Sequence, residues 1–105
     1  MQDEILSVEV SVTGRSALLT ARGEIDAHSV VTLRAALDQV YPHQQVVVDM
    51  ASVTFMGSCG IEALIGYVER TFNGAIAVQN PSPIVLRVLE ITGAASLLLP
   101  ANPAA

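Results

Sequence analysis

Lysine and tryptophan are both missing from this 105-residue chain, and cysteine occurs once. Positive charge is carried only by Arg15, Arg22, Arg34, Arg70 and Arg87, spread along the sequence against a net charge of −5. A nucleic-acid backbone stripe is therefore not expected, and without lysine there is no Walker-type phosphate loop. The single Cys59 excludes an internal disulfide, and with only His28 and His43 besides it no zinc-ligand spacing occurs. No metal or cofactor is implied. Long apolar runs are missing too. None approaches the ~18 residues of a membrane span, and the acidic start MQDE does not read as a signal peptide. Direct membrane insertion is not expected, and a cytoplasmic location is the simplest reading. Aromatic residues make up 4% of the chain and hydrophobic residues 51%, so the core has to be built from Val, Leu, Ile and Ala. The length suits one domain over 1–105 with a single core and no two-domain cleft.

What the chain does have is concentrated between Val46 and Phe72, in VVVDMASVTFMGSCGIEALIGYVERTF. Val46, Val47 and Val48 form an uninterrupted apolar run ending at Asp49, which predicts a short central strand buried on both faces. From Ile61 the period changes. Ile61, Leu64, Ile65, Val68 and Phe72 fall on one side of an amphipathic helix. Between strand and helix, Gly57, Ser58, Cys59 and Gly60 combine two glycines with a serine placed to cap the helix. The Ser58 hydroxyl is then held at a helix N-terminus, where free N–H groups and the positive end of the dipole tolerate a phosphate. These residues leave two readings of Ser58 open: a cap worth about 1 kcal/mol, and a regulated phosphorylation site. Cys59 is either a small packing residue or a redox-sensitive thiol. MGSCG lacks the first glycine of the G-x-S-x-G elbow, so hydrolase chemistry is not expected.

In chain order, Leu6, Val8, Val10 and Val12 alternate with polar residues as in a strand with one buried face. The polar break Thr13-Gly14-Arg15-Ser16 precedes a second strand from Ala17 to Arg22, ended by Gly23, and predicts an antiparallel hairpin. Asp26 opens a helical pattern through Val30, Leu33, Leu37 and Val40, which Pro42 stops. After the central unit, Asn73-Gly74 reads as a turn and Ala75 to Val78 as a fourth strand. Ser82 and Pro83 are an N-cap and first-position proline for a helix through Ile84, Val88 and Ile91, with Gly93 as its stop. Leu97 to Leu99 reads as a fifth strand, and from Pro100 the chain reads as a loose tail over 100–105. The hairpin followed by alternating helices and strands predicts an α/β fold, a mixed sheet of about five strands with helices packed on it.

RGEIDAHSV, VVVDMASVTFMGSCGIEAL and the later Thr92-Gly93 before a hydrophobic end stand in the order and spacing of a known family. Over a core of about residues 5–99 the sequence resembles the STAS domain, of the anti-sigma factor antagonist (anti-anti-sigma factor) type. The resemblance implies a bacterial, non-enzymatic phosphoprotein that regulates transcription by partner switching. In such proteins an anti-sigma factor that is also a serine kinase phosphorylates the serine matching Ser58. A PP2C-like phosphatase reverses the step, and the unphosphorylated form binds the anti-sigma factor and frees sigma. The implied protein–protein contact surface comprises Asp26, Thr54, Phe55, Met56, Gly57, Ser58, Cys59 and Gly60. Asp26 is either part of this rim or a plain helix cap, and Asp49 has a structural role. The family commonly carries aspartate before the serine, as in D-S-S-G, where this chain has Gly57. Some members of the superfamily are unphosphorylated accessory or scaffold subunits, for example of lipid-transport ATPase complexes, which is the second reading.

Overall fold

The computed structural model describes residues 5–41, 45–71 and 75–99. Strands β1 (Leu6–Thr13) and β2 (Ser16–Ile25) form the expected antiparallel hairpin, with Thr13 opposite Ser16. Gly14 stands at φ +60° in the two-residue loop, the conformation a tight hairpin turn demands there. Helix α1 (Val30–Val40) follows, then β3 (Gln45–Met56), α2 (Ser58–Arg70), β4 (Ala75–Gln79), α3 (Pro83–Thr92) and α4 (Ala95–Leu98). The sheet order is β1-β2-β3-β4, with β1 antiparallel to β2 and the other pairings parallel. Helices α1 and α2 supply the crossovers that parallel neighbours need. This is the mixed α/β architecture expected, with β2 and β3 at its centre.

The register aligns one buried row across the sheet. Ala17, Val46 and Ile76 are neighbours, as are Leu19, Val48 and Val78, and they share one core with Leu33 and Leu37 of α1, Leu64 of α2, Leu89 of α3 and Leu98 of α4. The alternate row, Leu18, Val47 and Ala77, is only half-buried or exposed. Val47 therefore corrects the expectation of a strand buried on both faces. The helices pack their apolar stripes against one side of the sheet, and the strand alternates accordingly.

Several boundaries differ from the sequence reading for identifiable reasons. Strand β3 does not end at Asp49 but continues to Met56 beside β2, through register shifts opposite Thr20/Arg22 and Gly23/Glu24. Each shift inserts an extra residue into β3, a bulge that apolar alternation does not reveal. Gly23 does not terminate β2. It lies inside the strand at φ +115°, and Ile25, fully buried, is the last strand residue. The α2 stripe is Gly60, Ile61, Ala63, Leu64 and Tyr67, with Ile65 and Val68 at its margin. Ser82 caps α3 with Pro83 in its first turn, and Gly93 closes it at φ +78°, as expected. The buried face of α3 is Val85 and Leu89, however, and Ile91 is 72% exposed. Leu97 to Leu99 is not a fifth strand, because Ala94 and Leu98, four apart, both turn into the core and the intervening chain closes as one helical turn. Pro42, His43, Phe72, the Asn73-Gly74 turn and the tail from Pro100 lie outside the described residues.

Candidate functional site

The predicted site residues fall at the C-terminal ends of β2 and β3. Met56 is the last residue of β3, Ser58 is the first of α2, and only Gly57 lies between. Gly57 is extended at φ −87°, ψ 174° and occupies the N-cap position, with no side chain capping the helix. Ser58 is thus not the cap. It is the first helical residue, exposed, and its hydroxyl makes no hydrogen bond with the described residues. The physical reason is the length of β3. Two bulges carry the strand up to Met56, so the turn into the helix is a single residue.

The sharpness of that turn depends on Gly60. A β-carbon there would stand 2.9 Å from Ile25 Cγ2 and 2.9 Å from Met56 Cε, so α2 begins directly on the strand ends. The Gly57 N–H donates to Ile25 O at 2.9 Å, joining this turn to the end of β2. Asp26 follows immediately. Its Oδ1 accepts from the N–H groups of His28 at 2.9 Å and Ser29 at 2.8 Å. In return Ser29 Oγ accepts from the Asp26 N–H at 2.9 Å and donates to Glu24 O at 2.6 Å. This is a reciprocal capping box on the turn that leads into α1. Asp26 thus caps this turn and not α1 itself, whose N-cap position is Ser29 with no side-chain cap, and it follows Ile25, the residue whose carbonyl holds Gly57.

The eight predicted residues do not all face outward. Thr54, Phe55 and Ser58 are exposed, Asp26, Gly57 and Cys59 are half-buried, and Met56 and Gly60 point into the protein. Phe55 is 46% exposed despite its size. The sequence reading missed Ser29, the buried polar residue that completes the capping box; the signal was the D-x-x-S spacing from Asp26. Val31, in the first turn of α1, is 63% exposed. A separate groove of about 340 Å³ runs between α1 and α2, lined by Arg34, Asp38, Glu62, Tyr67 and Arg70. There Arg70 binds Asp38 at 2.8 Å and stacks on Tyr41 with its guanidinium 4.5 Å from the ring centre, tying the C-terminal ends of the two helices together.

Two carboxylates are held below the usual range. The Ser29 backbone N–H is the main cause for Asp26, opposed by partial burial and helped by the Ser29 hydroxyl and by His28. For Asp49 the main cause is the Ala51 N–H, opposed by burial and helped by Asn80, Gln79 and Arg22. Folded values below the unfolded value mean that these groups stabilise the protein above about pH 4 and lose that contribution as pH falls through the folded values. Urea unfolding followed from neutral pH downward should therefore show an acid loss of stability that is shallower in Asp26→Asn and in Asp49→Asn. An unchanged acid limb in both variants would show that these hydrogen bonds do not set it.

Solved structures of known proteins share this fold. The anti-sigma factor antagonist SpoIIAA in its unphosphorylated form has a similar fold, with a TM-score of 0.75 at 22% identity over 93% of this chain and 90% of that one. An anti-sigma factor antagonist from Mycobacterium paratuberculosis gives 0.77 at 22% identity, over 95% and 90% of the two chains. The Bacillus cell fate determinant SpoIIAA in the phosphorylated form gives 0.67 at 20% identity, over 93% and 94%. No curated protein sequence matches significantly. The family model for the STAS domain matches residues 7–103, taking in the positive-φ Gly23 before Asp26, the long bulged β3 and the one-residue turn into α2, and the chain accordingly belongs to the STAS domain family.

Proposed function

We propose that this protein is an anti-sigma factor antagonist that acts by partner switching, binding an anti-sigma factor serine kinase when Ser58 is unmodified and released when Ser58 is phosphorylated. The observation that supports this most is the state of the Ser58 hydroxyl, exposed at the first position of α2 and engaged by no described residue. Such a hydroxyl is open to an incoming phosphoryl donor. The phosphate would sit beside helix N–H groups that favour negative charge, so modification need not disturb the fold. Around it, Asp26, Thr54, Phe55 and Gly57 form one rim, where a phosphate of about −1.5 to −2 charge would oppose an interface packed without it. The protein supplies the acceptor and the contact surface, while the kinase supplies the base and the metal. A PP2C-like phosphatase would restore the binding form. In this reading the chain is a non-catalytic, cytoplasmic, single-domain regulator of transcription.

Gly57 bears on the alternative, an unphosphorylated accessory subunit. The family's aspartate would occupy the N-cap of α2, a position that carboxylates favour. Space for it exists: a β-carbon on Gly57 would meet Ile25 O at 3.7 Å and Cys59 Sγ and Phe55 Cε2 at 3.8 Å, ordinary contacts on an extended backbone. Gly57→Asp should fold, gain a few tenths of a kcal/mol from capping, and accept phosphate faster from the cognate kinase. Initial rates on wild type, Gly57→Asp and a Ser58→Ala blank test this. Transfer to Gly57→Asp alone would identify a domain that has lost its switch and favour the accessory role. Transfer to neither, with a kinase active on another substrate, would remove phosphorylation from the proposal.

A further inference from the structure

Among the described residues, the second half of β3 has a strand on one side only. Its pairing with β4 covers Gln45 to Asp49, opposite Ala75 to Gln79, and from Met50 onward β3 pairs with β2 alone. Two carbonyls on the other edge are both taken by Ser82. Its N–H donates to Met50 O at 3.2 Å, and its hydroxyl donates to Val53 O at 2.6 Å. In a regular strand, residues three apart direct their carbonyls to opposite edges. Here the bulge between Asp49 and Ser52 brings both to the same edge. The segment before Ser82 is pinned to the same strand. Asp49 Oδ2 accepts from Asn80 Nδ2 at 3.1 Å while its Oδ1 accepts from the Ala51 N–H at 3.0 Å, and Asn80 adopts φ +52°.

Ser82 also caps α3, accepting from the Val85 N–H, but at 3.5 Å. Against a hydroxyl bond of 2.6 Å to Val53, the cap is the weaker of the two contacts. We infer that Ser82 is a positioning residue for the Thr54–Gly57 segment, fixing the strand-free edge of β3 from the side opposite β2. Gly57 is held on the β2 side by Ile25 O, so the rim is set between two anchors, and one of them belongs to α3. The functional weight of this role rests on the proposed contact surface, but its test is made on the free protein and stands or fails without any partner.

The two hydroxyl roles are separable. Aspartate at 82 keeps the capping acceptor and, ionised, cannot donate to Val53; threonine keeps both; alanine keeps neither. Amide hydrogen exchange on the full chain reads the result. In Ser82→Asp, protection of the Thr54 to Gly57 amides should fall about tenfold or more while the α3 amides keep theirs. Ser82→Thr should match wild type throughout. Wild-type protection of Thr54 to Gly57 in Ser82→Asp, or a loss spread evenly over β2 and α1 as well, would overturn the assignment. Should Ser82→Asp not fold, Ser82→Ala is read against Ser82→Thr at both places: a loss of protection in Ser82→Ala that is larger at Thr54 to Gly57 than in α3, restored with threonine, supports the role, and a loss at Thr54 to Gly57 no larger than that in α3 overturns it.

Discussion

Gly23→Ala is expected to lower stability by roughly 2–4 kcal/mol. Two independent reasons add. Gly23 is at φ +115°, outside the region that L side chains adopt, and a β-carbon there would overlap the backbone carbonyl of Ile5. That carbonyl cannot swing away without loss, because it accepts the Glu24 N–H at 2.9 Å. Gly14→Ala is the internal control. It has φ +60° and no atom within 4 Å of its would-be β-carbon, so only the left-handed penalty of about 1–2 kcal/mol applies. Urea unfolding of the two variants separates strain from overlap. If Gly23→Ala were no worse than Gly14→Ala, the backbone at Gly23 would be free to relax away from the Ile5 carbonyl and the overlap would carry no cost of its own.

Under the proposed function, Ser58→Glu should weaken binding to the anti-sigma factor about tenfold or more while the fold is kept. A carboxylate at the first helical position is favoured by the helix dipole by roughly 0.3–1 kcal/mol, so the unfolding midpoint should hold or rise slightly. Ser58→Ala is the complementary variant. Because Gly57, not Ser58, takes the N-cap position and the Ser58 hydroxyl bonds to no described residue, its loss should move stability by no more than about 0.5 kcal/mol. Binding by Ser58→Ala should match wild type and persist in the presence of ATP. Calorimetric titration with the purified partner, paired with urea unfolding of each variant, distinguishes the cases. Normal binding by Ser58→Glu would sink the switch. A loss of stability of 1 kcal/mol or more in Ser58→Ala would instead return Ser58 to a capping role.

By itself the sequence determined the hairpin and the order of helices and strands as far as α3. These follow from local rules: the alternation from Leu6 to Val12, the 3.6-residue period from Val30 to Val40, and the Ser82-Pro83 start with its Gly93 stop all act within a few residues of one another. The family pattern placed Asp26 and Ser58 together because it records their spacing, not their contact. Only the tertiary structure decided where β3 ends, since its bulges are imposed by pairing with β2 and leave no trace in apolar periodicity. That in turn made Gly57 the cap and left the Ser58 hydroxyl unengaged. Packing also chose between equivalent local readings: Leu98 became helical because the core accepted it together with Ala94, and Val47 stayed half-buried because the helices pack on one side of the sheet. The bonds from Ser82 to Met50 and Val53 join residues about thirty positions apart. Such contacts depend on where the sheet puts a strand edge, and the sheet exists only once distant segments have packed on a common core.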